Sequence, residues 1–321
     1  MSRHRSAALV GNPNAGKSAL FKAFAETWFN EFKVGWRRTY ITTVRGILDQ
    51  HLLPRFARAA DEMAAGRVGL HLKIDTGMSR LGLRPEHVPA AIEALAQHPG
   101  VQLTGLCTHL AEADGEELDP TLRQLERFAA ARALLHAAGH RGGVVHVANS
   151  AGAVRVAAAR HDLVRPGLAL FGVAPDHTPL PGLWPVMRLC TRLIALREVP
   201  AGAGVGYGGL HTTSAPTRVA TLPIGYADGY SRRLSGRAQV LVGGRRCPVL
   251  GAVTMDMLMV DVSAVPGVRL GDEAVLFGRQ GDDAIAIEEL AAWSGTIPWE
   301  ICCAISKRVP RVYSGPGGTD R

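Results

Sequence analysis

The chain has 321 residues, 47% of them hydrophobic and 20% charged, enough for one large α/β domain and a smaller companion. No apolar run reaches membrane-spanning length and the N-terminus MSRHRSAALV lacks the long apolar segment of a signal peptide, so a cytoplasmic protein without a membrane partner is expected. The net charge of +8 comes from arginines scattered without basic runs or interleaved aromatics, which argues against nucleic acid and favours anionic ligands; the five cysteines (Cys107, Cys190, Cys247, Cys302 and Cys303) show no C-x-x-C spacing, so reduced, mostly buried thiols and no metal are expected.

Taken in order, residues 7–10, 11–18 and 19–28 read as strand, glycine-rich loop and helix. The loop Gly11-Asn12-Pro13-Asn14-Ala15-Gly16-Lys17-Ser18 matches G-x-x-x-x-G-K-S in full. Such a loop offers backbone N–H groups and a helix N-terminus to a phosphate. Over roughly the first twenty-five residues the chain resembles small bacterial GTPases. Those proteins also need a D-x-x-G and an N-K-x-D, and neither follows Ser18. The segment is therefore read as the first strand, loop and helix of another fold, with nucleotide binding as the lesser alternative.

A short strand is predicted over 40–44. Pro54 suits the first turn of a helix to residue 65, on which Phe56, Ala59, Ala60 and Met63 fall at helical spacing. Strand and helix then alternate, with strands over 70–74, 101–107, 144–147 and 163–165 and helices over 85–96 and 122–138. That order predicts parallel β/α units. After about Pro185, short β-rich runs take over, among them 218–222, 238–242 and 257–262, with one helical pattern over 287–293. The expected fold is α/β: a partial TIM-like β/α barrel over 1–182 and a mostly antiparallel β domain over 183–321.

The stretch HLKIDTGMSRLG at 71–82 breaks an apolar run into a polar turn. In a β/α barrel the C-terminal ends of strands form the mouth where chemistry is placed, which makes Lys73 and Arg80 candidates. The alternative is a snorkelling Lys73 and a charge at the start of a helix beginning near Ser79.

Eight short motifs then follow one another: HLKIDTGMSRLG (71–82), CTHLAEAD (107–114), HVANSAG (146–152), VRPGLALFG (164–172), VGYGG (205–209), PIGYADGY (223–230), TMDMLMVDV (254–262) and ISKRVPRVY (305–313). On these motifs the chain, from residue 73 to 313, resembles the alanine racemases. The resemblance implies pyridoxal 5'-phosphate, which holds an amino acid as an imine and spreads the charge of its α-carbanion. It also implies D-alanine made for peptidoglycan, and a homodimer with shared active sites. Two bases are needed, one on each face of the carbanion. By motif Tyr207 is one, delivered from the partner subunit's β domain. Arg165 matches the arginine facing the pyridine nitrogen; the bland alternative pairs it with Asp162. Ser150, Gly167 and Leu168 match the phosphate pocket. Arg80 matches the arginine near the phenolic oxygen, and Lys73 the lysine carbamylated in some relatives. His109 and His146 match cofactor-pocket histidines, Met255 and Asp256 the loop that receives the substrate carboxylate, and Asp114, Tyr226 and Arg232 the entry corridor.

The family's K-A-[ND]-A-Y-G motif, which carries the lysine that anchors the cofactor, is missing. Trp299 stands where the family has a phosphate-binding tyrosine, and Ala252 where it has a corridor arginine. The interval from Gly11 to Lys73 is also short, so an incomplete barrel is expected. Lysine occurs only at positions 17, 22, 33, 73 and 307. Of these, only Lys17 is expected to reach the cofactor aldehyde. Three readings follow: an active racemase using Lys17 and Tyr207, a racemase homologue impaired in turnover, and a nucleotide-binding protein using the loop at 11–18.

Overall fold

The computed structural model describes residues 68–99, 101–141, 143–175 and 182–313. The loop at 11–18, Lys17, the strand expected over 40–44 and the helix expected from Pro54 lie outside the described residues. The described residues fall into two compact units, one containing residues 68–170 and 174–175 where described, the other 182–313 with 171–173.

In the first unit, β1 (Val68–Lys73), β2 (Val101–Cys107) and β3 (Val144–His146) form a parallel sheet in that order. Its register places Lys73, Cys107 and His146 in one row at the C-terminal ends of the strands. Helix α1 (Val88–Gln97) buries Val88, Ala91 and Leu95, and α2 (Asp119–Ala137) buries Thr121, Gln124, Phe128, Ala131 and Leu135. The three- and four-residue steps put each set on one face of its helix. These faces share a core with Leu70, Leu72, Ile74, Leu106 and Val145. Helix α3 (Ser150–Arg155) follows β3 and is capped by Asn149, whose Oδ1 accepts from Gly152 N at 2.9 Å.

Two expectations are corrected here. No helix starts at Ser79: the Asp75 carboxylate accepts the N–H groups of Gly77, Met78 and Ser79 at 3.0–3.1 Å and closes a loop, in which Ser79 has φ +53°. The helical turn begins only at Pro85. The strand expected over 163–165 is a single bridge from Leu163 to His146, flanked by hydrogen bonds from Asp162 N to Val145 O and from Arg165 N to Ala148 O.

Among the described residues the second unit holds an antiparallel sheet of eight strands. They are β4 (Leu189–Arg192), β5 (Ala195–Val199), β6 (Thr217–Leu222), β7 (Gln239–Val242), β8 (Arg245–Leu250), β9 (Leu258–Asp261), β10 (Glu273–Gln280) and β11 (Asp283–Ile285). Their order is β11-β10-β7-β8-β9-β6-β5, and β4 also pairs with β10. The inner positions are filled by residues such as Val240, Val242, Leu258, Val260, Val275 and Leu276. Helix α4 (Ile287–Ser294) ends on Gly295 at φ +65°, and α5 (Pro298–Ala304) follows. Cys107, Cys247 and Cys302 are buried, Cys303 is half-buried and Cys190 exposed.

Candidate active site

The first unit builds its site at the C-terminal end of β1–β3. Lys73 closes β1, and the loop after it is pinned by hydrogen bonds from Asp75 N to Leu83 O and from Leu83 N to Lys73 O, both 2.8 Å. Gly82 sits so close to this pairing, at φ +134°, that a Cβ would lie 2.7 Å from Asp75 N. Arg80 stands exposed in the loop. Burial lowers the Lys73 amine from its ordinary range. Cys107 and Asp75 oppose that shift, while the charges of Arg80 and Arg165 reinforce it.

The loops after β1 and β2 are tied to each other by a buried polar chain. Gln124 on α2 donates from Nε2 to Thr76 Oγ1 and His109 O, each 3.1 Å, and accepts from Ala111 N at 2.8 Å. Thr76 Oγ1 also shares a hydrogen bond with Thr108 Oγ1 at 2.8 Å, in which either hydroxyl can donate. Sequence reasoning gave Gln124, Thr76 and Thr108 no part in the site. The available signal was a glutamine among the apolar positions of the α2 face.

Arg165 lies at the centre. Its Nη1 donates to His146 O and to His146 Nδ1, both at 2.7 Å. Its Nη2 lies within reach of Thr108 O at 2.7 Å, Val147 O at 3.1 Å and His109 Nδ1 at 3.3 Å. Asp162 is not its partner, contrary to the bland alternative: that carboxylate accepts from Val145 N at 2.8 Å. Among the described residues no carboxylate pairs with this half-buried cation.

A guanidinium only donates, so both imidazoles must accept at Nδ1. His146 then carries its hydrogen on Nε2 and gives it to His71 Nδ1 at 2.8 Å. The His71 ring lies where a side chain on residue 105 would go, since a Cβ on Gly105 would be 2.5 Å from it. Burial, the Arg165 charge and His71 hold His146 down to about 4, and burial lowers His71 as well. Both rings are neutral at pH 7, and Arg165 is the only cation in the chain of three.

Two residues past Arg165 is a small amide cradle. Ser150 Oγ accepts from Gly167 N at 2.8 Å and from Ala169 N at 3.3 Å, at the start of a 3-10 turn over Leu168–Phe171. Asn149, not Ser150, is the cap of α3, which leaves the serine for this role. A Cβ on Gly167 would meet nothing within 4 Å, so open space lies in front of it. The Ser150 hydroxyl, which accepts both bonds and keeps its own hydrogen to donate, and the open space before Gly167 suit a phosphate oxygen, and a carboxylate-free arginine suits a ring nitrogen acceptor. These residues fit pyridoxal phosphate. Among the described residues no group of His, Cys, Asp and Glu is placed to hold a metal ion.

In the second unit the candidates stand on turns. Tyr207 is 74% exposed in a 3-10 turn between Gly206 and Gly208, at φ +75° and +74°. A Cβ on Gly206 would come 2.8 Å from Met259 Cε. Val205 N donates to His211 O at 2.9 Å and closes the loop behind the tyrosine. Met255 is 54% exposed in the turn at 254–257. Asp256 Oδ1 accepts from Arg308 Nη2 at 2.6 Å. Tyr226 and Arg232 are exposed in the same unit, Ala252 is buried and Trp299 half-buried; Asp114, in the first unit, is exposed.

A β/α unit with a cation-and-amide site at its strand ends, and an antiparallel β unit with its candidates on turns, define the class of two-domain, fold-type III pyridoxal phosphate enzymes. Family models for the alanine racemase N-terminal domain and C-terminal domain match residues 46–175 and 186–313. The chain belongs to the alanine racemase family. It is 45% identical over 274 residues to the alanine racemase of Sorangium cellulosum, covering 84% of this chain and 72% of that one. It is 48% identical over 248 residues to that of Desulfovibrio desulfuricans, covering 77% and 66%. Among solved structures, alanine racemase from Bacillus anthracis with bound L-Ala-P gives a TM-score of 0.77 at 34% identity over 87% of this chain and 71% of that one. The Bartonella henselae enzyme with covalently bound pyridoxal phosphate gives 0.75 at 28% identity over 84% and 72%.

Proposed function

We propose that this protein is a pyridoxal phosphate-dependent racemase that interconverts L- and D-alanine. The observation that carries the reading is Arg165, a cation held by backbone carbonyls and the Nδ1 atoms of His146 and His109, two residues from the Ser150–Gly167 cradle. When bound, the cofactor takes up the amino group of the substrate and spreads the charge left on its α-carbon. Ser150, Gly167 and Leu168 hold the phosphate. Arg165 donates to the ring nitrogen and, being fixed in its protonated form, leaves that nitrogen without a proton of its own. Arg80 and His109 complete the cofactor pocket, and Met255 and Asp256 receive the substrate carboxylate. Tyr207 removes or returns the α-proton on one face and Lys17 does so on the other. The exposed turns carrying Tyr207 and Met255 support a homodimer in which each β unit serves the partner's barrel.

Purified protein loaded with pyridoxal phosphate is expected to convert L-alanine to D-alanine. Borohydride reduction and peptide mapping are expected to find the cofactor on Lys17, and Lys17→Ala to abolish both. Uptake of the cofactor without turnover would support the impaired homologue, a reading favoured by Ala252 and Trp299. Nucleotide binding without cofactor uptake would overturn both in favour of the loop at 11–18.

A further inference from the structure

We infer that Arg308 is a positioning residue that holds the turn at 254–257 in the shape, and at the charge, needed to receive a substrate carboxylate; this rests on the assignment of that turn proposed above. Arg308 Nη2 donates to Asp256 Oδ1 at 2.6 Å, and its Nε lies 3.4 Å from Asp228 Oδ1. Asp228 is largely buried, and its other oxygen accepts from Gly225 N at 3.0 Å. One guanidinium therefore ties the exposed Asp256 to a carboxylate anchored in the 225–228 turn.

The two turns are joined by backbone as well. Tyr226 N donates to Thr254 O and Ala227 N to Met255 O, both at 3.0 Å. They approach so closely that a Cβ on Gly225 would lie 2.2 Å from Thr254 O and 2.5 Å from Met255 O. Within the 254–257 turn, Thr254 N donates to Met257 O at 2.9 Å, and Thr254 Oγ1 donates to that carbonyl while accepting from Met257 N. This leaves the N–H groups of Met255 and Asp256 with no hydrogen bond among the described residues. Two adjacent amides on a turn form a concavity for a small anion.

A carboxylate arriving there meets the negative charge of Asp256, and Arg308 offsets that charge. The segment that presents Arg308 is itself folded around a second arginine. Arg311 donates to the carbonyls of Ile305, Ser306 and Val309, and Ser306 N donates to Asp228 O at 2.9 Å. Arg308 and Asp256 are both about half exposed, so the ion pair adds little to global stability. Its effect falls on the shape and field of the turn.

The test is Arg308→Met in the loaded enzyme. KM for alanine and the inhibition constant of propionate are expected to rise about tenfold, with kcat changed by less than about threefold. Hydrogen exchange is expected to quicken in the peptide holding Thr254 and Met257, with the melting temperature nearly unchanged. Arg308→Lys is expected to restore most of the loss, and Asp256→Asn to relieve part of it when combined with Arg308→Met. Unchanged KM together with unchanged exchange at 254–257 would overturn the proposal, as would an equal loss of kcat and kcat/KM with KM unmoved. If the wild-type protein does not racemise alanine, the reading of the site fails separately. The exchange measurement then decides on its own whether Arg308 holds the turn.

Discussion

The two units set their candidate groups on opposite physical terms. In the β/α unit, His71 and His146 are buried, Arg165 is half-buried, and each is fixed by the hydrogen-bonding needs of the next. In the β unit, Tyr207 and Met255 are more than half exposed, on turns whose shape comes from glycines and backbone pairing behind them. The same contacts therefore serve stability and chemistry in the first unit, whereas the second keeps the two apart. Substitutions at candidate residues should lower stability in one unit and leave it nearly intact in the other.

The largest effect is expected from Arg165→Met. The guanidinium meets the carbonyls of Thr108, His146 and Val147 and both imidazole Nδ1 atoms, and methionine satisfies none of them. Each buried acceptor left without a donor costs about 1–3 kcal/mol. Part of that is recovered by water at the open side, so a total loss of about 2–4 kcal/mol is expected, read as a lower urea midpoint. Cofactor uptake should fall in the same variant. A loss under about 1 kcal/mol would mean that the cation is carried by solvent, and the contrast between the units would fail.

Acid should act on the same unit with a smaller effect. His146 is held down to about 4 in the folded chain, against an ordinary value of 6.5, with His71 lowered as well. The folded state therefore refuses protons that the unfolded state accepts below pH 6.5. The stability from the neutral rings is complete above that point and declines as pH falls from 6.5 toward 4. For His146 alone the loss reaches at most about 3 kcal/mol. Urea midpoints measured at steps from pH 7.5 to 4.5 should show the decline, and His146→Gln should flatten it. A flat wild-type profile would show that the rings are protonated in the native state.

The parts legible in the sequence were those set by local pattern. Strand β2 and the buried stripe of α2 were readable because apolar side chains recur at the period of each element. The antiparallel character of the second unit was readable as well, yet β4, β5, β8, β10 and β11 were not. Strands β4, β5, β8 and β10 carry Arg192, Arg197, Arg245, Arg246 and Arg279 among their apolar residues, and β11 is only three residues long. Helix α5 was missed because Pro298–Ala304 is only seven residues long, too short for a helical period to show. The loop after β1 was misread as a helix start because the Asp75 carboxylate takes three N–H groups that a helix would need. At the site, Ser150, Gly167 and Arg165 could be picked out by motif, while His71, Gln124 and Arg308 could not. The partners of His71 and Arg308 lie more than fifty residues away in the chain, and no local pattern encodes such a pairing.

The smallest effect on stability is expected at Tyr207, and there the contrast is sharpest. The side chain is 74% exposed, and the turn that presents it is held by Gly206, Gly208 and the Val205–His211 hydrogen bond, none of which needs the phenol. Tyr207→Phe keeps the ring and removes one hydroxyl, so the unfolding free energy should change by less than about 0.5 kcal/mol. A phenol that moves the α-proton contributes about 10²–10⁴ to the rate, so racemisation should fall by that factor while cofactor binding stays. The loss should also be uneven. With one of two opposed bases removed, exchange of the α-proton with solvent from one enantiomer should suffer more than from the other, as proton NMR in heavy water would report for L- and D-alanine taken separately. Equal loss from both enantiomers, or a loss matched by unfolding, would mean that Tyr207 supports its own domain and the base on that face is another residue.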